Sequence, residues 1–361
     1  MQGAAPATVR EALDAGDPLP GTRGFAGELD GRLVRDVLGR EPLFVDRDGT
    51  APIADGRWSH DPTELTDPDP VPAGHAVDGE ASDRLWSLPD PDPFTDRERA
   101  VARVRDAVET SVDEVDADGL AVAFSGGVDS AILAARLDAP LYVAGFPDSH
   151  DVEAARSAAD LLGRELRVVE LTHDAIERAV PEIVAATGRT DAMAVQIALP
   201  LYLTAERVAA DGFGRLALGQ GADELFGGYA KVANAPEDPR VDADTVRGAR
   251  REVVATLPDQ LPRDVLALRA AGVEPVTPLL HDRVVAAALR LPGELLVEGD
   301  RRKVALREAA TDVLPDAVAE RDKKAAQYGS LAARELDRLA RQAGYKRRMD
   351  DHVTKYVESL V

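Results

Sequence analysis

The stretch Leu120-Ala121-Val122-Ala123-Phe124-Ser125-Gly126-Gly127-Val128-Asp129-Ser130 decides the fold. Its first five residues are an unbroken apolar run, the signature of a strand buried on both faces. The last six hold two glycines, two serines and an acid, and they open directly onto a helical pattern. Further apolar runs follow at Leu141 to Phe146, Leu166 to Leu171 and Leu216 to Gly219. Helical patterns lie between them, at Glu153 to Leu162, Asp174 to Ala186 and Val195 to Ala210. Strands alternating with helices predict right-handed crossovers and an α/β fold with a doubly wound parallel sheet.

Working outward, Thr95 and Glu98 have capping-box spacing. Val101, Val104, Val108, Val112 and Val115 then recur at helical intervals. Residues 61–93 are rich in Asp and Pro, which predicts a wrapping connection with one small strand at His75-Ala76-Val77. Residues 1–60 read as short strand-like pieces, Arg32 to Gly39 and Pro42 to Asp46. Beyond about residue 240 the pattern is wholly helical, and Leu331 to Val361 reads as amphipathic helix. There is no internal repeat.

Composition narrows the chemistry. The 361 residues include no cysteine, so this chain offers no thiol, disulfide or zinc–cysteine site. No run of about 18 apolar residues exists and no basic-then-apolar leader is seen, so a cytoplasmic protein is expected. The net charge of −22 argues against non-specific nucleic-acid binding, which needs a basic face. Only six of the 43 basic residues are lysine. An acidic, lysine-poor surface predicts a halophilic protein, since salt screens its self-repulsion. Equal thermal stability at low and molar KCl would overturn that reading. The six histidines show no metal-ligand spacing, and structural or surface roles are expected for them.

The Ser125–Ser130 segment predicts a pyrophosphate cradle. Gly126 and Gly127 permit backbone geometry closed to other residues, the following helix offers its positive end, and Ser125 and Ser130 offer hydroxyls. Asp129 cannot meet phosphate directly and is read as a Mg2+ ligand. The segment lacks the lysine of a kinase-type loop. A second glycine-rich stretch, Gly219-Gln220-Gly221-Ala222-Asp223-Glu224-Leu225-Phe226-Gly227-Gly228-Tyr229, also follows a strand. Its Asp223 is the expected second carboxylate for Mg2+.

The first of these motifs resembles the pyrophosphate loop of the ATP-pyrophosphatases, and the second resembles the Gly-x-Gly-Ala/Ser-Asp-Glu-Leu-Phe-Gly-Gly-Tyr signature of the asparagine synthetases. The likeness extends through Phe146 to Asp151, Pro200-Leu201-Tyr202-Leu203, Gly272 to Leu280, and Gly299 to Lys303 with Leu306-Arg307-Glu308. It covers about residues 95–335. Leu33 to Phe44 and Pro72-Ala73-Gly74-His75 resemble parts of that family's glutaminase domain, which normally begins with a catalytic cysteine. Residues 1–93 are therefore expected to be a truncated, thiol-free remnant of that domain. Residues 94–361 are expected to be a synthetase domain of the adenine-nucleotide α-hydrolase-like type.

The resemblance implies an AMP-forming amide ligase using ATP and Mg2+, with aspartate and ammonia as leading substrates. It puts Phe124, Ala144, Leu218 and Gly219 near the nucleoside, Asp129 and Asp223 on Mg2+, and Lys303 at the α-phosphate as the catalytic lysine. Arg301, Arg302, Lys303, Arg321, Lys323 and Lys324 form a candidate pyrophosphate-facing cluster. Two departures stand out. Gln220 occupies the place of a family glutamate, which β-lactam synthetases replace with tyrosine, and Gln196 occupies that of an arginine. Glutamine cannot take a proton near neutral pH, so either Glu274 substitutes as the base or a free amine needs little help. These changes favour a different acid or amine, making a lactam or other amide ligase the alternative. A nucleotide-binding relative without turnover is the reading from another class. A separate glutaminase subunit and a homodimer are the partners considered.

Overall fold

The first ninety residues fold around two small antiparallel sheets. In this computed structural model the described residues are 1–361 apart from 48–55, 80, 148, 236 and 322–327, with backbone alone at 328–330. A helix Pro6–Ala15 leads. Strands β1 (Ala26–Leu29), β2 (Arg32–Arg35), β3 (Phe44–Asp46), β4 (Trp58–Ser59), β5 (Pro68–Pro70), β6 (His75–Asp78) and β7 (Ala81–Arg84) follow. Their orders are β1-β2-β6-β7 and β4-β3-β5. The leading helix, β1, and the strands β5 and β7 inside the Asp/Pro-rich stretch go beyond the sequence expectation. β5 tolerates two prolines because it is an edge strand, where a missing donor leaves no ladder position empty.

The parallel sheet is the one expected, with one strand more. Strands β8 (Leu120–Ala123), β9 (Leu141–Gly145), β10 (Leu166–Glu170), β11 (Arg215–Ala217) and β12 (Glu274–Val276) lie in the order β10-β9-β8-β11-β12, every neighbour parallel. This is the doubly wound α/β arrangement. β12 corrects the expectation of a wholly helical chain beyond residue 240. It is three residues long and holds Pro275, so neither length nor alternation announced it, and it survives as an edge strand. A further hairpin, β13 (Val297–Glu298) with β14 (Arg301–Arg302), lies in the same region.

The chain packs as two compact units, each assembled from separated segments. Met1–Asp116, Gly219–Pro262 and Thr277–Glu320 form the first; Ala117–Leu218, Arg263–Val276 and Arg321–Val361 form the second. Packing thus groups residues 1–93 with later segments, across the boundary at 93/94 drawn from motif likeness.

Within the first unit, buried charge ties residues 1–93 to the later segments. Arg40 bridges Asp36 (2.8 Å) and Asp282 (2.7 Å), all three nearly solvent-free. The other Asp282 oxygen accepts from the Thr22 amide at 2.7 Å. Arg35 donates to the carbonyls of Gly39, Glu41 and Val71. The Arg-Asp pair that likeness ties to a glutaminase strand is thus structural here. The connection at 88–91 is clamped from the helix Val246–Val254: Arg247 and Arg251 pair with Asp90 at 3.0 and 2.8 Å, and Arg251 donates to the carbonyls of Leu88 and Pro89.

Candidate active site

In the second unit, β8 ends at the point where the strand order reverses, since β9 lies on one side and β11 on the other. Ligands of open parallel sheets bind at the carboxyl ends of strands at such a point. The Ser125–Ser130 loop leaves β8 there and enters the helix Val128–Arg136, whose N-cap, Gly127, makes no side-chain cap hydrogen bond.

The two loop glycines do different work. Gly126 has φ +73°, and a Cβ there would come within 3.0 Å of the Ala154 carbonyl and the Ala155 Cα. It is glycine because the backbone turns left-handed hard against the helix His150–Leu161. A Cβ on Gly127 would meet only the Ser125 hydroxyl, at 3.5 Å, so its outer face is open. The serines divide likewise. The buried Ser130 hydroxyl donates to the Gly127 carbonyl (3.2 Å) and accepts from the Ser125 amide (3.1 Å). It staples the loop and lies 3.2 Å from the Ser125 hydroxyl. Ser125 is exposed. Asp129 lies buried in the first helical turn. Phe124, Ala144 and Leu218 sit at or just past the carboxyl ends of β8, β9 and β11 with side chains buried, so what they can offer a ligand is backbone.

Glu274 is not brought to that end. It pairs in register with Arg215, which pairs with Leu120, so it stands at the amino end of the sheet. Phe124 lies four residues on, about 13 Å at strand rise. The Glu274 carboxylate is exposed and held by Arg269 at 2.5–3.1 Å. Nothing places it to act as the substitute base.

In the first unit, the second motif builds a buried ionic site. Gly219 and Gln220 are half-buried. Gly221, with φ +88°, caps the short helix Ala222–Leu225, which carries Asp223 and Glu224. Lys303 Nζ bonds Asp223 Oδ1 at 2.8 Å, its side chain 4% exposed. A Cβ on Gly228 would fall 1.9 Å from that carboxylate oxygen and 2.5 Å from Lys303 Cε, so only glycine admits the pair. The hairpin of β13 and β14 delivers the lysine. Lys303 follows β14 and caps the helix Val304–Ala309 at φ 59°, a left-handed conformation that costs a residue with Cβ roughly 1–2 kcal/mol. Strain of this kind is retained where the surroundings over-determine it. Residues read separately as metal ligand and phosphate lysine are thus a contact pair.

Two neighbours, Glu224 and Tyr229, have no role in the sequence reading. Arg302 donates to the Gly228 carbonyl at 2.7 Å, and the Tyr229 hydroxyl donates to Glu224 at 2.6 Å. Burial, and then the Asp223 charge, push the Glu224 carboxyl above its ordinary range, with Tyr229 pulling the other way. A Glu-x4-Tyr spacing gives no sign of burial, which is why these escaped. The expected basic cluster divides. Arg301 is paired with Glu308 and Glu320, Arg302 and Lys303 stand at the site, and Arg321 bonds Ser157 and the Ala154 carbonyl. Lys323, Lys324 and Asp148 lie outside the described residues.

Oxygen donors of this kind suit a hard cation. Magnesium commonly takes one or two carboxylates and completes its shell with phosphate and water. Asp129 and Asp223 are donors of that class, and among the described residues no three acids or histidines gather to form a protein-only cage.

A doubly wound α/β protein, with a capless glycine loop on its central strand and a buried lysine–aspartate pair, is the class defined so far. The chain belongs to the asparagine synthase family, whose model matches residues 103–252 and 233–357. It is 29% identical to a putative glutamine-hydrolyzing asparagine synthetase 1 of Methanocaldococcus jannaschii, over 68% of this chain and 52% of that protein. It is 28% identical to the glutamine-hydrolyzing asparagine synthetase B of Escherichia coli, over 85% of this chain and 61% of that protein. The chain thus spans about half to three-fifths of these relatives' length. An NH3-dependent NAD synthetase of Campylobacter jejuni aligns over 74% of this chain and 93% of its own, with 13% identity and a TM-score of 0.29, a likeness too low to carry weight. No described helix is long and apolar enough to cross a membrane.

Proposed function

We propose that the chain is an ATP-dependent amide ligase that activates a carboxylic acid as its acyl-adenylate and passes the acyl group to an amine. The observation that carries this reading is the Asp223–Lys303 pair, fixed at 2.8 Å under Gly228 with its lysine in a strained backbone state. A carboxylate oxygen attacks the α-phosphorus of ATP, the bond to the β-phosphate breaks, and pyrophosphate leaves. The amine nitrogen then attacks the acyl carbon, loses a proton, and AMP departs with the bonding pair. Both partners in the first step are anions, so preplaced positive charge is the main catalytic need.

The amides of the Gly127–Ser130 turn and the Ser125 hydroxyl bind phosphate oxygens, and Lys303 meets charge developing at the α-phosphate. Asp129 and Asp223 would hold Mg2+, which supplies further neutralisation of the phosphates. Aspartate and ammonia, the reactants suggested by the relatives' names, are the leading substrates. Gln220 favours a second reading, an amine needing no base or a different acid, because an amide there offers no proton acceptor. Ammonia from a separate glutaminase subunit, action in the cytoplasm and a homodimeric state complete the proposal. Incubation with Mg-ATP, ammonium and each of a panel of acids, followed by mass spectrometry, tests it. Amide, AMP and pyrophosphate in equal amounts are expected; ADP in place of AMP, or no acid-dependent pyrophosphate, would sink it.

A further inference from the structure

A recess of about 320 Å3 lies wholly within the first unit, away from the Asp223–Lys303 motif in sequence. Its walls include Ala5, Thr8, Arg23, Glu114 and His281. The volume is at the lower end of small-molecule sites, room for a molecule the size of an amino acid.

Its polar groups are chiefly donors. The helix Pro6–Ala15 begins there, and its N-cap, Ala5, has no side chain able to accept a hydrogen bond. Pro6 has no N–H, so the orphan donors of that end are the amides of Ala7 and Thr8. His281 is 4% exposed, yet it lines the recess. Its Nδ1 accepts the Arg283 amide at 3.1 Å, capping the helix Asp282–Leu289. The proton of the neutral ring is therefore on Nε2, and among the described residues Nε2 has no hydrogen-bond partner. Burial and the neighbouring arginines keep the ring neutral, with its pKa pushed down to about 4. The Arg23 guanidinium is fixed beside it through the Ser111 carbonyl at 3.0 Å. The one acid of the wall, Glu114, is matched by Arg283 at 2.7 Å.

We propose that this recess is a binding site for a small oxyanion, a carboxylate or inorganic phosphate, held by the Thr8 amide, the His281 Nε2–H and the Arg23 guanidinium. The His281 Nε2–H and the uncapped end of the helix Pro6–Ala15 line one recess, and an oxyanion supplies acceptors to both at once. None of the groups that line the recess is one assigned to ATP, so the proposal does not depend on the ligase reading.

Isothermal titration calorimetry of the full chain with sodium acetate and, separately, sodium phosphate, at constant ionic strength, tests this. His281→Asn is the informative variant. Asparagine is a preferred N-cap, so it keeps the Arg283 amide satisfied while removing the Nε2 donor. Arg23→Gln removes the cation without touching the cap. Saturable binding by the wild type is expected, weakened about tenfold or more in each variant. Tighter acetate binding identifies a carboxylate ligand and tighter phosphate binding identifies phosphate. No saturable heat with either anion, or binding unchanged in His281→Asn with its fold intact by circular dichroism, overturns the proposal.

Discussion

Two glycine-rich segments leave the ends of strands in this molecule, and they are built on opposite principles. The Ser125–Ser130 loop is held by neutral hydrogen bonds. Ser130 staples its backbone, Gly126 lets it lie against a helix, and its outward face is left to an exposed hydroxyl and amides. The Gly219–Tyr229 segment is held by charge: Asp223 against Lys303, with Gly228 left bare to admit them and Glu224 buried behind. A loop that must wrap a polyanion gains from donors aimed outward. A group that must meet charge at one atom gains from rigid placement. Similar composition thus conceals different physics.

The comparison breaks most visibly in turnover. Asp129→Ala and Lys303→Ala should each lower acid-dependent pyrophosphate release about 100-fold or more, the scale of losing one preorganised electrostatic group. Retained turnover in either would remove that residue from the chemistry. The glycines come next. Gly228→Ala forces a methyl into the Asp223–Lys303 contact and should cost about 1–3 kcal/mol in urea unfolding besides crippling turnover. Gly127→Ala has φ −82° and open space, so its stability should hold or rise slightly while the KM for ATP climbs. Equal damage from both would erase the distinction drawn here.

The serines give a smaller contrast. Ser130→Ala should destabilise by about 1–2 kcal/mol, because the Gly127 carbonyl and Ser125 amide lose their buried partner. Ser125→Ala should shift stability by less than about 0.5 kcal/mol and show its effect on ATP binding alone. The smallest effect is a pH dependence confined to the ionic segment. Glu224 has its folded pKa raised, so its ionisation opposes folding, and that opposition is absent below the unfolded value and grows as pH rises past it. Glu224→Gln should therefore melt higher than wild type at pH 7, with the gain shrinking as pH falls toward 4.5. A pH-independent difference would show that Glu224 does not titrate in the way its burial demands.

Much of this was legible in the chain of letters. An apolar run, two glycines and a helical pattern suffice for a strand, a tight turn and a helix, because each is decided locally. β12 was hidden because Pro275 breaks its pattern and only its edge position rescues it. Glu274 was misjudged for a related reason: motif likeness gives an acid but not the end of the sheet on which it stands, and register alone decides that. Nor does any residue pattern announce that Lys303 has a positive φ, since lysine is not a residue that seeks that state. That Ser130 also staples its own loop was not legible, because composition cannot show which backbone groups a hydroxyl meets.

The Arg40 bridge to Asp36 and Asp282 has a bearing on how this gene could be pruned. A deletion ending at residue 93 would leave the Asp282 carboxylate sealed inside without its guanidinium and without the Thr22 amide, and an abandoned buried charge typically costs 3–5 kcal/mol, a large part of a domain's whole stability. Residues 1–93 thus serve as masonry: they supply the partners that a carboxylate sealed in the later sequence cannot do without.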